Sequence, residues 1–546
     1  MSTTPGGPEY LDTTGPADAE PGNDNRKRLI ALGALGATAV VVAGGAWAAT
    51  SFFATGSQPA EALPDSTVAY FSIDLDPSGG QKIEAIKTLR KFPAFTDQVD
   101  LETDDDLRER LFEEITSSGA CEGLDYAKDV KPWLGSRAAM AAVDLGEDEP
   151  AAVGVVQVTD SGKAEDGMSK LVDTCGGGED VEGEVGGWVV DGDWMVISET
   201  KEIATQVVEA TDGGTLADDA AFGTWTGEAG DDGFMSFYVA KGVTKYADEL
   251  GGMGSMMGGP LMMQGADEAM GDTAVEGDEV PEELQQLIDD FDGAAATVRF
   301  DDGAVEVEYA MSNYQQDMTK YMESDEGVSM VGGLPGDTVA AFGLSLTEGW
   351  GDAMLDYVKS TMPDEAGDID EQLSQLETET GLAIPEDIET LMGDGMTLSL
   401  GSGIDPDAIA NGGPGEVPVG LKIKGDAGEI QAVLDKIAAQ APPEMAEFMQ
   451  VTEGDGYAVL ALQDDYRGKL ESGGDLAETD DYQAVVESDD AQSVLYVNFD
   501  ADDDWLVRVT EDMPEVSENV APLSAFGVSG WVDGDVMHGL FKLTTD

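Results

Sequence analysis

The chain has 546 residues, with 27 Lys+Arg against 112 Asp+Glu, one histidine and two cysteines, giving a formal net charge of −85. So acidic a molecule cannot neutralise phosphates, which excludes nucleic acid as a partner, and anionic lipid headgroups repel its bulk. The lone His538 excludes His-rich metal sites and argues against a Ser-His-Asp triad.

Residues 1–28 are rich in Pro, Gly, Thr and acids, lack apolar periodicity, and read as a disordered tail. Arg26-Lys27-Arg28 closes it, and the 26 residues Leu29–Ala54 then carry no charge. A helix of that length spans about 39 Å, enough to cross a hydrocarbon core with tilt. The basic triplet lies on one side only, so the positive-inside rule predicts a cytoplasmic N-terminus, a single transmembrane helix over 29–54 and an extracellular remainder. The competing reading is a signal peptide cleaved near Ala46-Trp47-Ala48. Both readings export the main body at the cell membrane, where an oxidising compartment favours a disulfide between Cys121 and Cys175 over two free buried thiols.

After a linker, 55–62, the exterior compares with itself. Leu63-Pro64-Asp65-Ser66-Thr67-Val68-Ala69 returns as Leu334-Pro335-Gly336-Asp337-Thr338-Val339-Ala340, at an offset of 271 residues. Val153-Gly154-Val155, Trp194–Ile197, Leu216-Ala217, Tyr238-Val239 and Asp302-Gly303 find counterparts in the same order at Val419-Gly420-Leu421, Tyr457–Leu460, Leu476-Ala477, Tyr496-Val497 and Asp533-Gly534. This predicts an internal duplication: copy one over 63–312, a polar connection over 313–333, and copy two over 334–546. The offset shrinks between Tyr238 and Asp302, which marks an insertion in copy one near 241–290. That insertion holds a Met-Gly stretch with Met253, Met256, Met257, Met262 and Met263.

Each copy reads as α+β, antiparallel sheet packed with helices. In copy one the patterning predicts a strand over Val68–Leu75 and a helix over Lys82–Phe92. Another helical face runs through Leu107, Leu111, Phe112 and Ile115. Strands follow at Ala138–Leu145 and Ala152–Val158. Two hairpins are signalled, Gly187–Val190 with Trp194–Ile197 about Asp191-Gly192, and Ala295–Phe300 with Val305–Tyr309 about Asp302-Gly303. Copy two repeats such turns at Asp455-Gly456 and Asp533-Gly534.

The chemistry-bearing motifs read mostly as structure. Ser198-Glu199-Thr200-Lys201 has Ser-x-x-Lys spacing, but its companion motifs are missing and Ser198 becomes Ala461 in copy two. Ser198 and Thr200 read instead as a strand end and a helix cap. Asp74-Leu75-Asp76-Pro77 begins like a calcium loop, but the twelfth position is Ala85 rather than Glu. Acidic runs such as Asp104–Asp106 and Asp502–Asp504 are expected on so acidic a surface. The methionines read as a flexible surface loop, with copper(I) or an apolar partner as the sharper alternatives. Lys82, Lys87, Arg90 and Lys91 gather on one helix as a candidate partner surface, weighed against pairing with neighbouring acids.

The order of these features resembles the actinobacterial membrane proteins grouped as domain of unknown function 3352. The likeness rests on the apolar segment followed by Leu63–Tyr70, Asp74-Leu75-Asp76-Pro77, Lys91-Phe92-Pro93-Ala94-Phe95, Leu124-Asp125-Tyr126 and Asp129–Gly135. The resemblance implies a cell-envelope protein with a short cytoplasmic tail, and it brings no activity or catalytic residues. The expectation is therefore a membrane-anchored, non-enzymatic binding or scaffolding protein with no cofactor, its partner an envelope protein or a lipid. A carrier of a hydrophobic ligand in a sheet-helix cavity and a carboxylate-dependent hydrolase are the alternatives.

Overall fold

The computed structural model describes residues 57–74, 80–98, 106–117, 123–175, 186–231, 233–246, 290–301, 303–312, 319–322, 324–361, 366–405, 413–442, 446, 448–454, 456–487 and 491–546. The predicted tail and transmembrane helix lie outside these residues. Among the described residues no helix is long and apolar enough to cross a membrane.

The first eight strands are β1 (Thr67–Asp74), β2 (Leu134–Val143), β3 (Ala151–Val158), β4 (Gly187–Asp191), β5 (Trp194–Ser198), β6 (Met235–Ala240), β7 (Gly293–Asp301) and β8 (Ala304–Ser312). The next eight are β9 (Ala340–Leu344), β10 (Gly395–Leu400), β11 (Val419–Lys424), β12 (Thr452–Gly454), β13 (Tyr457–Ala461), β14 (Ser493–Asn498), β15 (Leu523–Asp533) and β16 (Val536–Thr545). All sixteen join one sheet, in the order β12-β13-β11-β10-β9-β14-β15-β16-β8-β7-β6-β1-β2-β3-β5-β4. Every described strand pairing is antiparallel, which gives the α+β class expected from the sequence.

The sheet order reads the same outward from its centre in both directions. One half runs β8-β7-β6-β1-β2-β3-β5-β4 and the other β16-β15-β14-β9-β10-β11-β13-β12, so each strand of the first half matches the strand eight later. The two halves share one sheet, and Ala48–Asp546 forms one compact unit. The reason is the seam. β8 and β16 would each be a long edge with unpaired backbone groups, and they satisfy each other over nine residue pairs, centred on Glu308 opposite Leu540.

The main core lies on one face of this sheet. In the first half Tyr70, Val155, Val196, Tyr238, Ala295 and Ala310 pack beneath the helices Lys201–Ala210 and Ala220–Glu228. In the second half Ala341, Val459, Val494, Tyr496 and Ala525 pack beneath Glu326–Gly332, Asp464–Ser472 and Asp480–Val485. The repeated residues found in the sequence sit in these cores: Leu63 and Leu334, Leu216 and Leu476, and Tyr238 and Tyr496 are each no more than 2% exposed. The opposite face carries smaller clusters, under the helix Gly80–Leu89, the turn Lys241–Tyr246 and the helix Ala427–Ala438.

The hairpins form where Asp-Gly was read, with one refinement. Asp191 pairs with Trp194 and Asp533 with Val536, so those two loops are Gly192-Asp193 and Gly534-Asp535. Gly192 has φ 57° and Gly534 φ 58°, a positive φ at the first loop position, as a type II′ turn requires. The other two turns keep the expected position: Asp301 pairs with Ala304 and Gly454 with Tyr457, with Gly303 at φ 88° and Gly456 at φ 85°.

Candidate interaction surface

The residues singled out from the sequence divide cleanly. Ser198 is buried and donates its hydroxyl to the Ala152 carbonyl at 2.8 Å, so it ends β5 as a structural group. Thr200 accepts from the Ile203 amide and caps the helix Lys201–Ala210. Asp74 lies 3.6 Å from the Arg137 guanidinium, both side chains being 12% exposed, while Asp76–Gly79 lie outside the described residues. Asp106 receives Arg108, Lys131 and the Tyr126 hydroxyl. Asp502 accepts from the Gly403 and Ile404 amides and from Arg508. Among the described residues no group of three or more His, Cys, Asp or Glu is arranged to hold a metal ion.

The basic helix is not one surface. Lys91 turns inward and donates to both the carbonyl and hydroxyl oxygens of Thr545 at 2.9 Å. Burial lowers its pKa, against the pull of Asp546. Lys87 and Arg90 are exposed, and among the described residues they join no ion pair. The Lys82 side chain, Cys121 and the methionines Met253, Met256, Met257, Met262 and Met263 lie outside what the structure describes. Cys175 closes the helix Ser161–Cys175, and no described cysteine is a free thiol. Two surface clefts, of about 20 Å³ beside Asp74 and Arg137 and about 50 Å³ beside Trp194 and Thr211, are far smaller than a lipid-sized cavity.

Sequence reading missed the seam and the surface built over it. On the main-core face of the seam Arg299 bonds Glu306 at 2.7 Å and Glu308 at 2.6 Å, and Lys542 of β16 reaches Glu306 at 2.9 Å. Burial opposes the Arg299 charge, yet Glu308 and Glu306 outweigh it and raise its pKa. Four charges thus tie the two halves together where the sheet crosses its centre.

The opposite face carries an apolar strip. Successive cross-strand partners are Met140, Phe71, Phe237, Ala296 and Tyr309 across β2, β1, β6, β7 and β8. In the other half they are Leu398, Phe342, Leu495, Val528 and Phe541 across β10, β9, β14, β15 and β16. These runs are position-by-position equivalents about the seam, and they meet where the Tyr309 and Phe541 rings lie 5.9 Å apart. Cross-strand partners share a face, and the neighbouring residues Tyr70, Tyr238, Ala310, Ala341 and Tyr496 point into the main core. The strip therefore faces away from that core.

No residue of the strip is fully buried. Met140, Phe237, Phe342, Leu398 and Leu495 are 37–46% exposed, although they are large and apolar. Phe71 and Phe237 contact each other with ring centroids 4.8 Å apart. Ten strands about 4.8 Å apart make the strip about 43 Å long. A monomer rarely leaves so long a run of apolar side chains open to water, and such runs mark binding surfaces. Alternation on a half-buried strand looks the same whether the second face is covered or open, so no sequence signal distinguishes the strip.

The described residues form a single antiparallel sheet whose halves share one topology, with an apolar strip crossing the seam. The chain belongs to the family described as protein of unknown function (DUF3352), whose model matches residues 30–441. No curated protein and no solved structure gives a significant match to the chain.

Proposed function

We propose that this protein is a membrane-anchored, non-enzymatic binding or scaffolding module of the cell envelope, built from two copies of one α+β unit and facing the exterior. The observation that carries this reading is the exposed strip, because water-exposed Phe, Leu and Met cost solubility unless a partner covers them. The strand order supports the duplication, since both halves repeat one topology about the seam. The uncharged segment Leu29–Ala54 behind Arg26-Lys27-Arg28 supports the anchor and its orientation.

Photo-cross-linking from positions 237 and 495 in the native host, followed by mass spectrometry, tests the reading. A specific partner captured at both positions, and not from a solvent-facing position such as 202, is expected. Capture that is equal from all three positions overturns it. A mature N-terminus mapped to residue 49 or 50 would remove the anchor.

A second reading, a carrier of a hydrophobic ligand, draws on the same strip, which offers no charged group along its ten residues. A stoichiometric co-purifying lipid supports the carrier and displaces the scaffold.

A further inference from the structure

The strip constrains what can lie on it. Its strands are each paired on both sides, so no peptide can add to them as a further strand. A second copy of this chain is a poor occupant. Each copy would bring its own charge: 24 basic and 107 acidic residues follow position 54, a net −83. Like charge of that size opposes self-docking.

The same charge selects a partner of opposite sign. We propose that the strip holds an amphipathic helix of a partner protein, its apolar ridge against Met140, Phe237, Phe342, Leu398 and Leu495 and its polar face rich in Lys and Arg. This deepens the interaction reading above and rests on it. An α-helix rises 1.5 Å per residue, so about 29 residues cover the strip from Met140 to Leu398. Apolar side chains at i, i+3, i+4 and i+7 form the ridge, the usual way a helix fills an apolar groove. The ten residues form five equivalent pairs about the seam, so the strip looks alike from either end of such a helix. Two helices of half that length, one on each half, satisfy it equally.

The test uses the full chain in zwitterionic lipid nanodiscs, with empty nanodiscs as reference, at about 0.15 M salt. The probe is a synthetic peptide of about 29 residues with Leu and Lys in helical amphipathic order. Two controls accompany it: the same composition scrambled, and a Leu/Glu peptide in the original order. Saturable binding of the Leu/Lys peptide is expected, at least tenfold tighter than the scrambled peptide, with no binding of the Leu/Glu form. The double variant F237S/F342S, which changes one exposed ring in each half, is expected to weaken binding at least tenfold. M140S/L398S changes the outer ends of the strip and weakens it less. Thermal unfolding of each variant shows that it is folded, and the second pair serves if the first is not. Equal binding of the scrambled peptide overturns the proposal, as does undiminished binding to both folded variants. If the peptide fails while a native partner still cross-links from positions 237 and 495, the helix is wrong and the interaction surface stands. A lipid held on the strip overturns the helix in favour of the carrier.

Discussion

Asp106 shows how one carboxylate can be decisive among 112 acidic residues. Burial pushes its pKa up, but the Arg108 guanidinium, Lys131 and the Tyr126 hydroxyl more than offset this and hold it at about 2, below the ordinary 3.8. A folded-state pKa below the unfolded value adds stability that is complete above the unfolded pKa. It is lost as pH falls through the folded one. The shift corresponds to roughly 2 kcal/mol. Asp106→Asn is therefore expected to destabilise the protein by about that amount at pH 7, and the gap from wild type should close between about pH 4 and pH 2. Urea unfolding at a series of pH values checks this; a constant gap down to pH 2 would show that the Asp106 charge contributes nothing. The acidic runs themselves were plain in the sequence. That Asp106 meets Arg108 and Lys131 was not, because the spacing of like residues says nothing about where counter-charges fold back.

At the scale of elements, the sequence described local geometry well and long-range pairing poorly. The strands β1, β3, β5, β7 and β8 fall where alternation and β-branched residues placed them, because those signals are local, whereas β2 begins at Leu134 and ends at Val143 against the expected Ala138–Leu145. The helix cap at Thr200 was equally local. The two shifted hairpin loops show the limit: Asp-Gly and Gly-Asp readings share one glycine, and cross-strand packing sets which two residues leave the ladder. The pairing of β8 with β16 left no mark, since each strand looks like any half-buried strand until its partner is known. One position reports on that pairing. Gly539 lies opposite Tyr309, and a Cβ there would come within 2.2 Å of the Tyr309 ring. Gly539→Val is expected to push the ring off the seam, at a cost of about 1–3 kcal/mol. Thermal unfolding against the wild type measures it, and an unchanged midpoint would mean that the ring moves aside freely.

Across the whole molecule the governing quantity is charge. Residues 55–546 carry a net −83 within a compact unit, so self-repulsion works against the folded state. Raising ionic strength from about 0.01 M to about 0.15 M shortens the screening length from about 30 Å to about 8 Å. The unfolding midpoint is expected to rise across that range, most steeply at its low end. A midpoint that falls or stays level would place the charges too far apart to matter. The same scale explains why the candidate surface escaped sequence reading. Phe71, Phe237, Phe342 and Leu495 lie far apart along the chain, and only the seam brings their runs into one line.

The seam also sets an order of events. β8 ends at Ser312, and its neighbour β16 begins at Val536, more than 200 residues later in synthesis. Through that interval the emerging chain presents β8 as an open border, the kind of edge along which strangers zip together. Glu306 and Glu308 stand on that border with Arg299 beside them, and charges on an exposed edge discourage casual pairing. Lys542 arrives with β16 and closes the arrangement. The ion pairs that join the finished halves thus also act as a guard while the molecule is half made.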